Sequence, residues 1–85
     1  MAEIIDTEKG FKVIHTSRTE CLKWGGLGIC DHCNEDTQHG YIVTVLNCWL
    51  CPTCYDRWMK NAKRYPEDNA VENMNFRCYK KILGL

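Results

Sequence analysis

The chain has 85 residues, a formal net charge of zero and seven cysteines. No apolar run approaches the ~20 residues of a membrane-spanning helix, and zero net charge argues against nucleic-acid binding by bulk attraction. A domain this small buries only about 60–65% of the surface its unfolded chain exposes, so a metal or a disulfide set is expected to supplement its core.

The cysteines favour metal. Seven is odd, so complete internal pairing would leave one thiol over. The opening Met1-Ala2-Glu3-Ile4-Ile5-Asp6 has no basic segment leading into a long apolar run and does not read as a secretory signal. The expectation is a cytoplasmic, reducing setting, where structural disulfides are rare. Charge is unevenly placed. Residues 1–54 carry four basic and seven acidic side chains, and residues 55–85 carry seven basic and four acidic, so the C-terminal third is the positive end.

In chain order, Ile4 and Ile5 precede the polar Thr7-Glu8-Lys9-Gly10, which suits a hairpin turn. Phe11 to Thr16 has the β-branched and aromatic content of a strand, with Phe11, Val13 and His15 on one face. Cys21-Leu22-Lys23-Trp24 reads as a third short strand. Gly25-Gly26-Leu27-Gly28 then breaks the pattern, either as backbone freedom for a metal knuckle or as a flexible linker. After the polar turn at residues 34–40, Tyr41 to Leu46 is the best strand signal, apolar enough to be covered on both faces.

Pro52 suits the first position of a helix. From there Tyr55, Trp58, Met59, Ala62 and Tyr65 recur at helical spacing, with Arg57, Lys60, Asn61 and Arg64 opposite. Pro66 ends that helix near Tyr65. Asp68 is placed to cap a second helix, whose apolar stripe reads Val71, Met74, Cys78, Ile82, with Gly84 as its stop.

The chemistry centres on Cys30-Asp-His-Cys33, seventeen residues, then Cys51-Pro-Thr-Cys54. Two such pairs can supply four thiolates to one tetrahedral Zn²⁺. Cys48 also stands three residues before Cys51, so Cys48–Cys51 is the competing pair. Cys51 and Cys54 are preferred because a first helical turn favours thiolate. Cys48 then reads as a small buried side chain, as do Cys21 and Cys78. His39 remains an alternative ligand, and His15 with Cys21 a conceivable second site.

The order of cysteine pair in a turn, strand, and cysteine pair at a helix start resembles the treble-clef zinc finger, with the spacing of its GATA-type member. The likeness covers residues 27–65 and implies Cys30, Cys33, Cys51 and Cys54 as zinc ligands on a knuckle and a helix start. The chain departs from the GATA pattern in having Pro-Thr between the last cysteines and Tyr-Asp-Arg after them. The apolar Ile42-Val43-Thr44-Val45 stands where that family has an arginine-rich hairpin, and the basic tail is missing, so sequence-specific DNA reading is not implied.

Together these readings predict one small α+β domain over residues 1–85: an N-terminal β-hairpin, a treble-clef-like four-cysteine finger and a C-terminal helix. Four protein ligands leave no position for a water nucleophile, so the expected role is a non-enzymatic structural-zinc binding module. The expected partner is a protein, met by the stripe Arg57, Lys60, Arg64; no membrane and no small-molecule substrate are indicated. One alternative is nucleic-acid binding through the same basic face. The other is thiol–disulfide chemistry at Cys51-Pro-Thr-Cys54, which lacks the βαβ frame and the companion proline of thioredoxin-like enzymes.

Overall fold

The computed structural model describes residues 2–85. Four strands, β1 (Glu3–Asp6), β2 (Lys12–Ser17), β3 (His39–Val43) and β4 (Cys48–Leu50), form one antiparallel sheet in the order β1-β2-β3-β4. Helix α1 (Pro52–Asn61) and helix α2 (Asn69–Leu83) follow. The N-terminal hairpin is continuous with the rest of the sheet: β1 pairs with β2, and β2 pairs with β3 through Val13↔Val43 and His15↔Tyr41. Hairpin and finger therefore share one sheet rather than being joined by a flexible linker.

Because strand side chains alternate, the sheet has two apolar faces and a helix covers each. On one face Val43 and Leu50 pack with Cys30, Cys51 and Cys54, and Tyr55 and Trp58 of α1 close over them. Tyr41 stacks on Tyr55 with ring centroids 4.0 Å apart, and Phe11 meets Trp58 at 4.7 Å. On the other face Ile14, Ile42 and Trp49 pack with Cys21 and Leu83, and Trp24, Phe76 and Tyr79 lie against them. The result is three layers, with α1 and the cysteines on one side and α2 on the other.

Several local expectations are corrected. Residues 21–24 are not a strand: Thr19–Trp24 is a 3₁₀ helix ending at Gly25, whose φ of 83° is left-handed. Glu20 accepts the Ser17 N–H while the Ser17 hydroxyl accepts the Glu20 N–H, a reciprocal cap that starts a helical turn. The strand expected over 41–46 stops at Val43, because residues 44–47 turn through Asn47 at φ 53° and the chain returns as β4. Leu46 is left half exposed at the turn. Gly40 in β3 allows close approach: a Cβ there would lie 2.6 Å from the Leu50 carbonyl oxygen and 2.7 Å from the Trp49 ring.

Helix α1 ends at Asn61, short of Tyr65, with Ala62 already extended. Lys9 reaches across to donate to the carbonyls of Met59 and Ala62, placing a cation at the helix C-terminus. Tyr65 is consequently exposed. The face of α2 is also corrected. Val71, Met74, Cys78 and Ile82 are exposed, while Glu72, Phe76, Tyr79 and Leu83 face the sheet. Buried Glu72 accounts for the rotation, since its carboxylate accepts hydrogen bonds from Arg64 and from the Lys12 N–H.

Candidate metal centre

Cys30 and Cys33 occupy a tight turn closed by a bridge between Ile29 and Asp36. Within it the Cys30 N–H donates to Glu35 O at 2.9 Å, the Asn34 N–H donates to Cys30 O at 2.9 Å, and Asn34 takes a φ of 62°. This winding turns backbone donors inward, and the His32 N–H lies 3.4 Å from the Cys30 sulfur. Asp31 fastens the turn to the sheet: its N–H donates to Trp49 O at 2.9 Å and its carboxylate accepts the Trp49 N–H at 2.8 Å. Cys51 is the N-cap of α1 and Cys54 lies in its first turn.

The four sulfurs lie within 4.8 Å of one another, and those of Cys33 and Cys51 are 3.8 Å apart. Tetrahedral Zn–S bonds of ≈ 2.3 Å imply a sulfur–sulfur spacing of about 3.8 Å, so the cluster is sized for a metal ion of this kind. Cys30, Cys51 and Cys54 are buried, and Cys33 is exposed. The electrostatics agree with that reading. Burial opposes the Cys30 thiolate, but the amides of Cys33, Cys51 and His32 outweigh it and bring the thiol down to about 6. Burial and then the neighbouring thiols push Cys54 up to about 12. Without a cation the cluster favours one thiolate and opposes the next; a central divalent ion removes that conflict.

The remaining sulfurs lie elsewhere. Cys48 opens β4 outside the cluster, with burial pushing its thiol up to about 11. Cys21 is buried beside the Ser17 carbonyl, its sulfur 3.6 Å from that oxygen. Cys78, expected to be buried, is exposed on α2. His39 is not among the four: its Nδ1 lies 2.8 Å from His15 Nε2, and Glu3 stands 3.6 Å from the other nitrogen of His15. His15 and Cys21 do not come together, because they lie on opposite faces of the sheet region.

The basic stripe is divided. Arg57 and Lys60 are exposed on α1 and make no ion pair among the described residues. Arg64 lies beyond the helix and is committed to Glu72. Beside Arg57 the structure opens a cavity of about 510 Å³ between α1, the turn after β3 and the cysteine knuckle, lined by Leu46, Leu50, Trp58 and Ala62 with His32 at the side. Sequence reasoning missed it because its floor joins Leu46 to Trp58, and only the β3–β4 turn brings them together.

Among the described residues no helix is long and apolar enough to cross a membrane. Comparison with protein-family models, curated proteins and solved structures found no match to this chain.

Proposed function

We propose that the chain is a non-catalytic binding module of treble-clef type, held together by one structural Zn²⁺ on Cys30, Cys33, Cys51 and Cys54. The observation that carries this reading is the meeting of four cysteine sulfurs within 4.8 Å, two from a knuckle and two from a helix start, with a hairpin between them. A shell of four thiolates leaves no open position, and a closed zinc site stabilises a fold rather than activating water. Metal affinity then appears directly as folding free energy, which suits a chain with so little core.

The working surface in this reading is the cavity with Arg57 in its lining and Lys60 one turn further along α1, and the partner is a protein segment with an acidic residue next to an apolar one. Two uncommitted cations are a small footprint for a phosphate backbone, whereas a rim charge beside an apolar recess is the usual anatomy of a protein interface.

Native mass spectrometry before and after chelation tests the metal. One zinc per chain, with loss of structure on its removal, is the expected result. A metal-free folded chain whose mass changes by two hydrogens with redox state would overturn it and promote Cys51 and Cys54 to a redox pair. The surface is tested with a labelled acidic peptide against a DNA duplex: binding should favour the peptide and be lost in Arg57→Glu/Lys60→Glu.

A further inference from the structure

The sheet brings three polar side chains into line across β1, β2 and β3. Glu3 is the register partner of His15, and His15 is the register partner of Tyr41, two residues along β3 from His39. Side chains two apart on a strand share a face, so the His39 ring stands diagonally beside the His15 ring, on the side of the sheet that carries Tyr41. The two imidazoles cross at 69° with centroids 5.0 Å apart. His15 also packs on Tyr41 at 5.0 Å, and Tyr41 stacks on Tyr55 of α1. Paired strands and that stack fix where the His15 ring sits.

Nδ1 of His39 faces Nε2 of His15 at 2.8 Å, and on the far side of the His15 ring the Glu3 carboxylate stands 3.6 Å from Nδ1. The carboxylate favours the His15 tautomer with its proton on Nδ1, which leaves the Nε2 lone pair directed at His39. His39 is exposed, so its own proton can move to Nε2 through water and free Nδ1. A carboxylate behind the other ring nitrogen is the usual support of a metal-ligating histidine. An ion about 2.0–2.1 Å from each nitrogen would hold them at close to a right angle, whereas a tetrahedral centre needs about 3.3–3.4 Å between them. A right angle between two imidazoles suits the tetragonal preference of Ni²⁺ and Cu²⁺.

We propose that His15 Nε2 and His39 Nδ1 form a second metal site, a two-histidine site for a divalent ion of tetragonal preference, with Glu3 as its positioning residue. Its remaining positions are open to water or to a donor from another molecule. None of the three residues belongs to the cysteine cluster, so the proposal rests neither on the zinc reading nor on the partner reading above.

Nickel chloride titrated into the chain carrying one equivalent of zinc tests it, with the three histidine rings followed by NMR. Ni²⁺ is the probe because Cu²⁺ oxidises exposed thiols such as Cys78. The paramagnetic ion should broaden the ring signals of His15 and His39 well before those of His32, which is exposed in the cysteine turn. His39→Ala replaces an exposed side chain and should abolish the broadening at His15 while the backbone amide spectrum stays native; His32→Ala should leave it unchanged. Glu3→Ala should weaken nickel binding about tenfold, and Glu3→Gln should recover part of that loss, since its amide oxygen still accepts from Nδ1. Broadening that reaches His32 first, nickel binding that survives His39→Ala, or zinc held at the pair as tightly as nickel would each overturn the proposal. Unchanged affinity in Glu3→Ala would overturn the positioning role.

Discussion

The Arg64 guanidinium grips the Glu72 carboxylate through two hydrogen bonds, Nη2 to Oε1 at 2.9 Å and Nη1 to Oε2 at 3.0 Å. Glu72 is 2% exposed, and its Oε2 also accepts the Lys12 N–H at 3.1 Å. Arg64 in turn lies over the Phe11 ring, 4.9 Å from its centroid. One carboxylate therefore ties the segment after α1, the start of β2 and the first half of α2 to a single point.

Removing one partner of a buried pair leaves an uncompensated charge, which costs about 3–5 kcal/mol. Glu72→Ala leaves Arg64, whose side chain is 32% exposed and can reach water, so it is expected to cost less than that range. Arg64→Ala should come close to it, since it strands the buried carboxylate. Denaturant titration of the two single variants and the double variant measures the coupling: the double variant should be clearly more stable than the sum of the single losses predicts. Additive losses would show that the pair is not energetically joined.

The same contact carries a pH dependence. Burial works to raise the Glu72 pKa, but the bonds from Arg64 and Lys12 prevail and hold it below the ordinary carboxylate value. A group depressed on folding contributes stability that is fully present above its unfolded pKa, ~4.3, and is lost as pH falls through the folded value. The difference in stability between the native chain and Glu72→Gln should therefore be constant near neutrality and shrink in acid. Using the difference removes the effect of thiolate protonation, which weakens both chains alike. A difference that grows as pH falls would contradict the assignment.

Metal ligation separates the cysteines sharply. Structural zinc is worth roughly 10–16 kcal/mol in small peptides, comparable to or larger than the ~5–15 kcal/mol net stability of a typical domain. Cys30→Ala, Cys51→Ala and Cys54→Ala are thus expected to lose zinc and remain largely unfolded. Cys48→Ala should keep one zinc per chain and lose only the packing of a half-buried side chain. Metal content by mass spectrometry with circular dichroism decides it, and zinc loss in Cys48→Ala would restore the competing cysteine pair.

How far the sequence speaks depends on whether a signal is local. The Cys-x2-Cys pairs, whose four sulfurs the fold gathers, were legible because the spacing within each pair is local, and the first helix was legible from Pro52 and the period of Tyr55 and Trp58. The joining of β2 to β3 was not legible, because the partner strands are separated by the 3₁₀ helix and the cysteine turn, and pairing across such a gap leaves no period in the chain. The face of α2 was misread for a related reason. Apolar periodicity assigned the core to Val71 and Ile82, but the position of Glu72 is decided by Arg64, and a buried ion pair is invisible to hydrophobic pattern. The same distance in sequence hid the cavity beside Arg57.

Gly40 offers a test of the β3–β4 contact. A methyl group there would lie within 2.6–2.8 Å of the Leu50 carbonyl oxygen and the Trp49 ring, neither of which can swing away without disturbing β4. Overpacking of this kind typically costs about 1–3 kcal/mol, and Gly40→Ala should lower thermal stability accordingly. Gly84→Ala is a comparison without steric conflict, since nothing lies within 4 Å of a Cβ there, although its φ of 74° still carries a backbone cost. If Gly40→Ala were the milder of the two, the close approach of β4 to β3 would be in error.

Trp49 joins the two sides of the sheet, and its two attachments are separable. Its main chain exchanges hydrogen bonds with Asp31 in the cysteine turn, while its indole N–H donates to the buried Thr16 hydroxyl at 2.9 Å on the α2 side. Trp49→Phe removes only the second bond, along with part of the ring, and leaves the Thr16 hydroxyl without its donor. Loss of a buried hydrogen bond costs about 1–3 kcal/mol when one partner is stranded. Asp31→Ala removes the carboxylate that holds the knuckle against β4 while leaving the α2-side core intact. Trp49→Phe should therefore lower stability without changing zinc affinity, and Asp31→Ala should weaken zinc retention against a competing chelator more than it disturbs the α2-side packing. Chelator competition and denaturant unfolding on both variants separate the effects. If Trp49→Phe released zinc as readily as Asp31→Ala, the two faces of the sheet would be one cooperative site rather than a metal centre and a core joined through a single residue.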